Sequence, residues 1–328
     1  GPLAILALLI AGYPRITAAQ APTVQIQPAV ELSFNTQPGS LYQVESSGDF
    51  LNWRPLQLPL RGDGGPARIL TAAANGQSFF RVSTHAVRDV TPILESIRAR
   101  LGVPAVGCAV VISNRIAAWG VAGLRKAGIT SAPVTLEDRW HHGSLTKSMT
   151  ASLAAILVQE GKIRWDTPLA EVFPDWAPRM QEAWRSVTLD QLTSNRSGAP
   201  GDLNASGIWS QLWSFGGTPR EARRLLLEKL TVLPPNAPPG TRYEYSNAGF
   251  ALAGAMMEQV TGTAWEDLLK ARLFNPLGMA SAGFGVPATP RHIDQPWGHQ
   301  WTNGRPSPVE PGTAADNRSE EHTSELQS

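Results

Sequence analysis

Cysteine occurs once in the 328 residues, at Cys108, which excludes an internal disulfide framework. Its place inside the apolar run GVPAVGCAVVI predicts a small buried hydrophobe in a strand. Lysine is scarce, confined to Lys126, Lys147, Lys162, Lys229 and Lys270; the remaining cations are arginines. A net charge of +1 and the lack of any basic run remove nucleic acid from the expected partners. There is no C-x-x-C or H-E-x-x-H spacing, and His141 and His142 are adjacent, so their rings diverge. Neither a metal nor a cofactor is expected. The apolar run from Leu3 to Ala11 is too short to span a bilayer. It suits the hydrophobic region of a secretory leader, with Thr17 and Ala19 as cleavage determinants. Residues 1–20 are therefore read as a leader remnant, incomplete because no initiator Met or charged stretch precedes it, and the protein as secreted or periplasmic.

Residues 22–85 read as an all-β segment. TVQIQPAVELSFN, LYQVESS, WRPLQLPL, ARILTAA and SFFRVS are short, and several alternate apolar with polar residues. TQPGS and RGDGGP supply turn chemistry between them. The string YQVESSGDFLNWRPL followed by SFFRV resembles small β-sandwich modules appended to secreted proteins. That resemblance implies a spacer or a module docking to the cell envelope.

Near Val87 the pattern changes. DVTPILESIRARLG predicts a helix with Thr91 as N-cap, Pro92 at its first position, and Val90, Ile93, Leu94, Ile97 and Leu101 on one face. PAVGCAVVI and IAAWGVAGL, separated by SNR, predict a hairpin. A helix from Ser144 places Leu145, Met149, Leu153, Ile156 and Leu157 on one stripe and ends at Gly161. Thr218 with Glu221, and Thr263 with Glu266, have capping-box spacing. In the second of these helices Trp265, Leu268, Leu269 and Leu273 form the expected buried face. A hairpin followed by many helices indicates an α+β fold.

Two stretches could carry chemistry. In HHGSLTKSMTA, Ser144 and Lys147 are three apart, hence neighbours on one helical face. A serine hydroxyl needs a base, and a lysine serves only when neutral, a form favoured by burial and by the positive end of a helix. In PPGTRYEYSNAGFALAG, Tyr245 is either a core aromatic or a proton relay, and Asn247 either a helix cap or a contact for a substrate carbonyl. Neither stretch is specific alone.

In order, GSLTKSMTA, LTSNRSGAP, PGTRYEYSNAGFALAG and LFNPLGM resemble the motifs of the serine β-lactamase and penicillin-binding-protein superfamily. The likeness is greatest to class C β-lactamases and their esterase and D-aminopeptidase relatives, and runs over residues 87–317. It implies a β-lactamase/transpeptidase-like fold, a helical subdomain plus an antiparallel sheet, and a hydrolase working through an acyl-serine on a β-lactam, a D-amino-acid peptide or a small ester. Carried over, the motifs make Ser144 the nucleophile, Lys147 its activating partner, Tyr245 the general acid/base and Asn247 a substrate contact. The Ser144 N–H supplies half of an oxyanion hole. LTSNRSG departs from the commoner LLSHRSG at Thr193 and Asn195, where a structural histidine is usual at the latter.

The superfamily's third motif, a Lys/His-Thr/Ser-Gly triplet after the tyrosine, is not found beyond Asn247. Lys126-Ala-Gly and His141-His-Gly both precede the nucleophile. RSEEHTSELQS, residues 318–328, reads codon by codon as a translated sequencing-library adapter and is excluded from the fold. The expectations are therefore a fragment lacking later strands, a sheet edge left open, and poor catalysis. A catalytically silent binding or regulatory protein is the alternative. A Ser-His-Asp hydrolase fits poorly, since no G-x-S-x-G elbow is present.

Overall fold

The computed structural model describes residues 29–56, 59–72, 78–112 and 115–312. The leader expected at 1–20 and the adapter-like segment 318–328 lie outside these residues. The first part is all β. Strand β1 (Ala29–Asn35) pairs with β5 (Pro66–Ala72), running antiparallel from Ala29 opposite Ala72 to Asn35 opposite Pro66. In a second sheet β2 (Ser40–Ser47) pairs along one edge with β6 (Phe79–Ala86). Along its other edge lie the short β3 (Arg54–Pro55) and β4 (Leu60–Arg61). Leu41, Tyr42, Val44 and Ile69 are buried here, and the Tyr42 hydroxyl accepts the Gln37 N–H at 2.7 Å.

The chain next forms β7 (Arg88–Asp89), helix α1 (Thr91–Leu101), and the antiparallel hairpin β8 (Ala105–Ile112) and β9 (Arg115–Gly123). The sheet order is β7-β9-β8. The α1 cap sits one residue earlier than expected, at Val90, and Thr91 is already helical. Its N–H is satisfied instead by Asp89 Oδ1 at 2.8 Å, so a carboxylate two residues upstream does the work assigned to the threonine. Of the expected stripe Leu94 is buried, while Ile93 and Leu101 are exposed. Cys108 is also exposed, contrary to the buried position expected. The reason is topological: β8 is an edge strand, and Val110, Val111 and Ile112 are exposed along with the thiol.

The core lies among the helices. They are α2 (Thr146–Gln159), α3 (Leu169–Val172), α4 (Glu182–Arg185), α5 (Leu189–Thr193), α6 (Ile208–Trp213), α7 (Pro219–Leu230), α8 (Asn247–Thr261) and α9 (Trp265–Leu269), the last continued by one π-helical turn, Lys270–Phe274. Helix α8 is central: every residue from Asn247 to Glu258 is buried, as a helix apolar all round requires. Helices α2, α5 and α7 pack against it, interleaving Leu153, Leu157, Leu192, Leu226 and Leu227 with Ala251, Leu252 and Met256. Helix α2 closes with a Schellman arrangement: Gly161 in the left-handed region donates to Val158 O at 3.0 Å, and Lys162 N–H to Leu157 O at 2.9 Å. Its inward stripe is Lys147, Thr150, Leu153, Ala154 and Leu157; Leu145, expected on it, is exposed.

The capping box of Thr218 and Glu221 is present at the start of α7. The one expected of Thr263 and Glu266 is not: α9 begins after Ala264, without a side-chain cap. Glu266 is drawn instead to Arg223, whose Nη2 reaches it at 2.8 Å and Glu258 at 2.7 Å. Arg223 is only 1% exposed. Burial alone would lower its affinity for the proton, but the two carboxylates outweigh it and hold the guanidinium above its ordinary value. Glu266 is thus committed to Arg223 and does not turn back to cap α9.

The hairpin β10 (Gly298–Thr302) and β11 (Arg305–Val309) covers the turn after β9. The Ala127 N–H donates to His299 Nε2 at 2.9 Å, and Trp297 N–H to Arg125 O at 2.7 Å. Arg125 in turn pairs with the buried Asp138, which also accepts from Thr135. This fixes the turn six residues before Ser144.

Glu258→Ala, which leaves the buried Arg223 with Glu266 alone, is expected to cost about 3–5 kcal/mol of stability, read from the urea midpoint. Burial pushes the Asp138 carboxyl up, but Arg125 and Thr135 more than offset this and hold it below the ordinary carboxylate value. Its contribution is therefore present above the unfolded pKa of about 4 and lost as pH falls through the lower folded value. Asp138→Asn should be less stable than wild type at pH 7, with the gap closing below about pH 4.

Candidate active site

Ser144 stands in a single 3-10 turn, Gly143–Leu145, that runs directly into α2. Gly143 enters with a φ of 50°, and the Thr146 N–H returns to the carbonyls of Gly143 and Ser144. The hydroxyl is thereby held at the helix N-terminus with Lys147 one turn below. The Lys147 Nζ donates to Ser144 Oγ at 3.0 Å, as the three-residue spacing predicts.

From the far side, about a hundred residues on, comes Tyr245. Its hydroxyl lies 2.5 Å from Ser144 Oγ and 2.6 Å from Lys147 Nζ. Asn247, the first residue of α8, accepts from Lys147 through Oδ1 at 3.0 Å. The structure thus brings all four sequence-derived residues together. Lys147 is 7% exposed and Tyr245 44% exposed, so the amine is shielded while the phenol remains open to an incoming molecule. Neither bland alternative holds: Tyr245 is not a core aromatic, and the side chain that caps α8 is that of Ser246, accepting from Gly249 at 3.2 Å. The Lys147 Nζ also lies 4.5 Å from the Tyr245 ring centroid and 5.5 Å from that of Phe250.

Two loops cross beside Tyr245, and their crossing explains the LTSNRSGAP segment. The Gly240 N–H donates to Arg196 O at 2.7 Å, Asn236 N–H to Gly198 O at 2.9 Å, and Glu244 N–H to Asn195 O at 2.8 Å. The Ser246 hydroxyl donates to Pro200 O at 2.7 Å. Gly198 has a φ of 78°, and a Cβ there would lie 2.2 Å from Ala237 O, so only glycine permits the crossing. The Glu244 carboxylate accepts from Asn236 at 2.7 Å, Arg242 at 2.6 Å and the Gly201 N–H at 3.1 Å. Burial pushes its proton affinity up, yet these donors outweigh that and hold it below the ordinary value.

Sequence reasoning missed Glu244 and Asn195. The signal for Asn195 was available, an asparagine before Arg-Ser-Gly in a tight loop, where left-handed backbone is easily adopted. Nothing in the sequence pointed to Glu244, which joins Asn236 and Arg242 of its own loop to Gly201 of the facing one, 43 residues away. Among the described residues no group of three His, Cys, Asp or Glu side chains is placed to hold a metal ion. A cavity of about 380 Å³ opens beside the nucleophile turn, lined by His141, His142, Gly143, Met149, Trp265 and Phe284; burial, with His142 alongside, pushes the His141 imidazole below its ordinary value.

A family model described as Beta-lactamase matches residues 90–319. Penicillin-binding protein 4 of Amycolatopsis lactamdurans is 30% identical over 185 residues, 56% of this chain and 46% of that protein. Esterase EstB of Burkholderia gladioli is 28% identical over 190 residues, again 56% of this chain and 46% of its own. The octameric penicillin-binding protein homologue from Pyrococcus abyssi superposes with a TM-score of 0.54 at 25% identity, over 70% of this chain and 52% of that one. The chain spans about half the length of these relatives. Its helices and antiparallel sheets form a β-lactamase/transpeptidase-like fold, and with the family model covering most of its length, the chain belongs to the Beta-lactamase family.

Proposed function

We propose that the protein is a secreted or periplasmic serine hydrolase, class C β-lactamase-like, that forms an acyl-serine intermediate. The carrying observation is the triangle of Ser144 Oγ, Lys147 Nζ and Tyr245 Oη, each within 3.0 Å of the other two. In this reading Ser144 Oγ attacks a carbonyl carbon while neutral Lys147 takes its proton. Tyr245, bonded to both, passes a proton to the departing nitrogen or oxygen. The Ser144 N–H at the helix start supplies one donor for the developing oxyanion. Asn247, with Oδ1 turned to Lys147, would meet a substrate carbonyl through its amide nitrogen.

The substrate is a β-lactam, a D-amino-acid peptide or a small ester. Similarity both to a penicillin-binding protein and to an esterase supports this range. The apolar run from Leu3 to Ala11 supports export, and the β module at residues 29–86 is assigned a docking role at the cell envelope. The sequence holds no Lys/His-Thr/Ser-Gly triplet after Asn247, so turnover by this chain alone is expected to be weak.

A fluorophosphonate probe should label this chain slowly and at Ser144 alone, as read by intact mass and peptide mapping. Ser144→Ala should abolish labelling; persistence of the adduct would overturn the assignment. Lys147→Ala should slow labelling by about 10²–10⁴-fold, with the melting temperature followed separately. A folded wild type that takes up no probe would favour the silent binding protein instead.

A further inference from the structure

Tyr245 has a demanding placement and little packing to secure it. Its hydroxyl meets two groups on another helix, yet residues 241–246 have no regular secondary structure. The ring is 44% exposed and Tyr243, on the same stretch, 64% exposed. Core burial is therefore not what fixes the phenol. The backbone on either side of it is held instead, and by a single residue: the Glu244 N–H donates to Asn195 O at 2.8 Å, and the Ser246 N–H to Asn195 Oδ1 at 3.0 Å.

Receiving both amides requires that one residue present its main-chain and side-chain oxygens to positions two apart. Asn195 does so with a φ of 56°, in the left-handed region that most side chains avoid and asparagine tolerates. Glycine would supply that backbone and its carbonyl but no side-chain acceptor. A longer amide would supply an acceptor with a less tolerant backbone and a different reach. The requirement is thus for a short acceptor on a left-handed residue, which asparagine and aspartate meet.

We infer that Asn195 is a positioning residue for the hydrolase, a two-point clamp on the peptide units flanking Tyr245 that aims its hydroxyl at Ser144 and Lys147. This rests on the proposed role of Tyr245 as acid/base. The loop crossing itself has other ties, from Ser246 Oγ to Pro200, from Gly201 to Glu244 and from Gly240 to Arg196. Loss of the Asn195 side chain alone should leave the crossing standing and loosen only the tyrosine.

Asn195→Gly keeps the left-handed backbone and removes Oδ1, while Asn195→Asp restores an acceptor. Two readouts apply to the full chain: amide exchange at Ser246 by NMR, and fluorophosphonate labelling of Ser144 resolved into a maximal rate and a half-saturating concentration. For Asn195→Gly we expect Ser246 to exchange at least tenfold faster and the maximal rate to fall about tenfold. Half-saturation should be little changed, and Asn195→Asp should recover both losses. A maximal rate in Asn195→Gly equal to wild type, or an Asn195→Asp no better than Asn195→Gly, would overturn the inference and leave Asn195 a plain turn residue. If Asn195→Gly does not fold, Asn195→Asp decides: wild-type maximal rate supports the clamp, a tenfold loss overturns it. A wild type that is never labelled sinks the hydrolase reading, and the clamp then stands or falls on Ser246 exchange alone.

Discussion

The Lys147 Nζ lies within hydrogen-bonding distance of three oxygens, those of Ser144, Tyr245 and Asn247, at 3.0, 2.6 and 3.0 Å. Because the side chain is buried, removing any of these partners leaves a polar nitrogen in an environment that solvates it poorly. The three oxygens lie on two stretches of chain that nothing local connects. Burying one lysine therefore fixes how the start of α2 meets the start of α8, and the helical core is arranged around that meeting. Helix α8 is buried along most of its length, so its first residue, Asn247, inherits the rigidity of the packing behind it.

The tyrosine is secured differently. It belongs to no helix, and its neighbours are tied down by hydrogen bonds between two irregular loops. Gly198 lets those loops cross within contact distance, and the Glu244 carboxylate joins Asn236, Arg242 and Gly201 around one point. A site that needs one buried amine and one accessible phenol is thus built from two kinds of support, apolar packing for the first and backbone lacing for the second. Loops positioned by a rigid scaffold are the usual seat of such residues.

Helices α1, α2, α7 and α9, the β8–β9 hairpin and the grouping of the four polar site residues were legible in the sequence because each depends on local pattern or on a motif of fixed spacing; the short helices α3 to α6 were not singled out. The capping box at Thr218 was read correctly for the same reason. The errors share a different cause. Glu266 had the spacing of a cap but was claimed by Arg223, a partner 43 residues away, and pattern cannot show a competitor that distant. Cys108 sat in a run apolar enough for a core, yet its strand lies at a sheet edge, a property of topology and not of composition. Thr91 was displaced as cap by Asp89, a near neighbour whose carboxylate is the better acceptor. Asn195 was noticed as a departure from the family's histidine, but its two-sided role required knowing which loop lay opposite.

The separation of Ser144 from Tyr245, 101 residues in sequence, bears on the order in which the molecule assembles. Closing a loop of that length costs about 4 kcal/mol in chain entropy, beyond a constant term. Local pieces such as the β8–β9 hairpin and helix α7 face no such cost. The lysine's three-way contact, unlike these pieces, forms only as α8 docks against α2 and α5. It should equally be among the first things to loosen when the domain breathes, since few apolar contacts support the tyrosine side. The reactive geometry then doubles as a reporter of completed folding: a partly assembled molecule would hold its helices and still lack a competent serine.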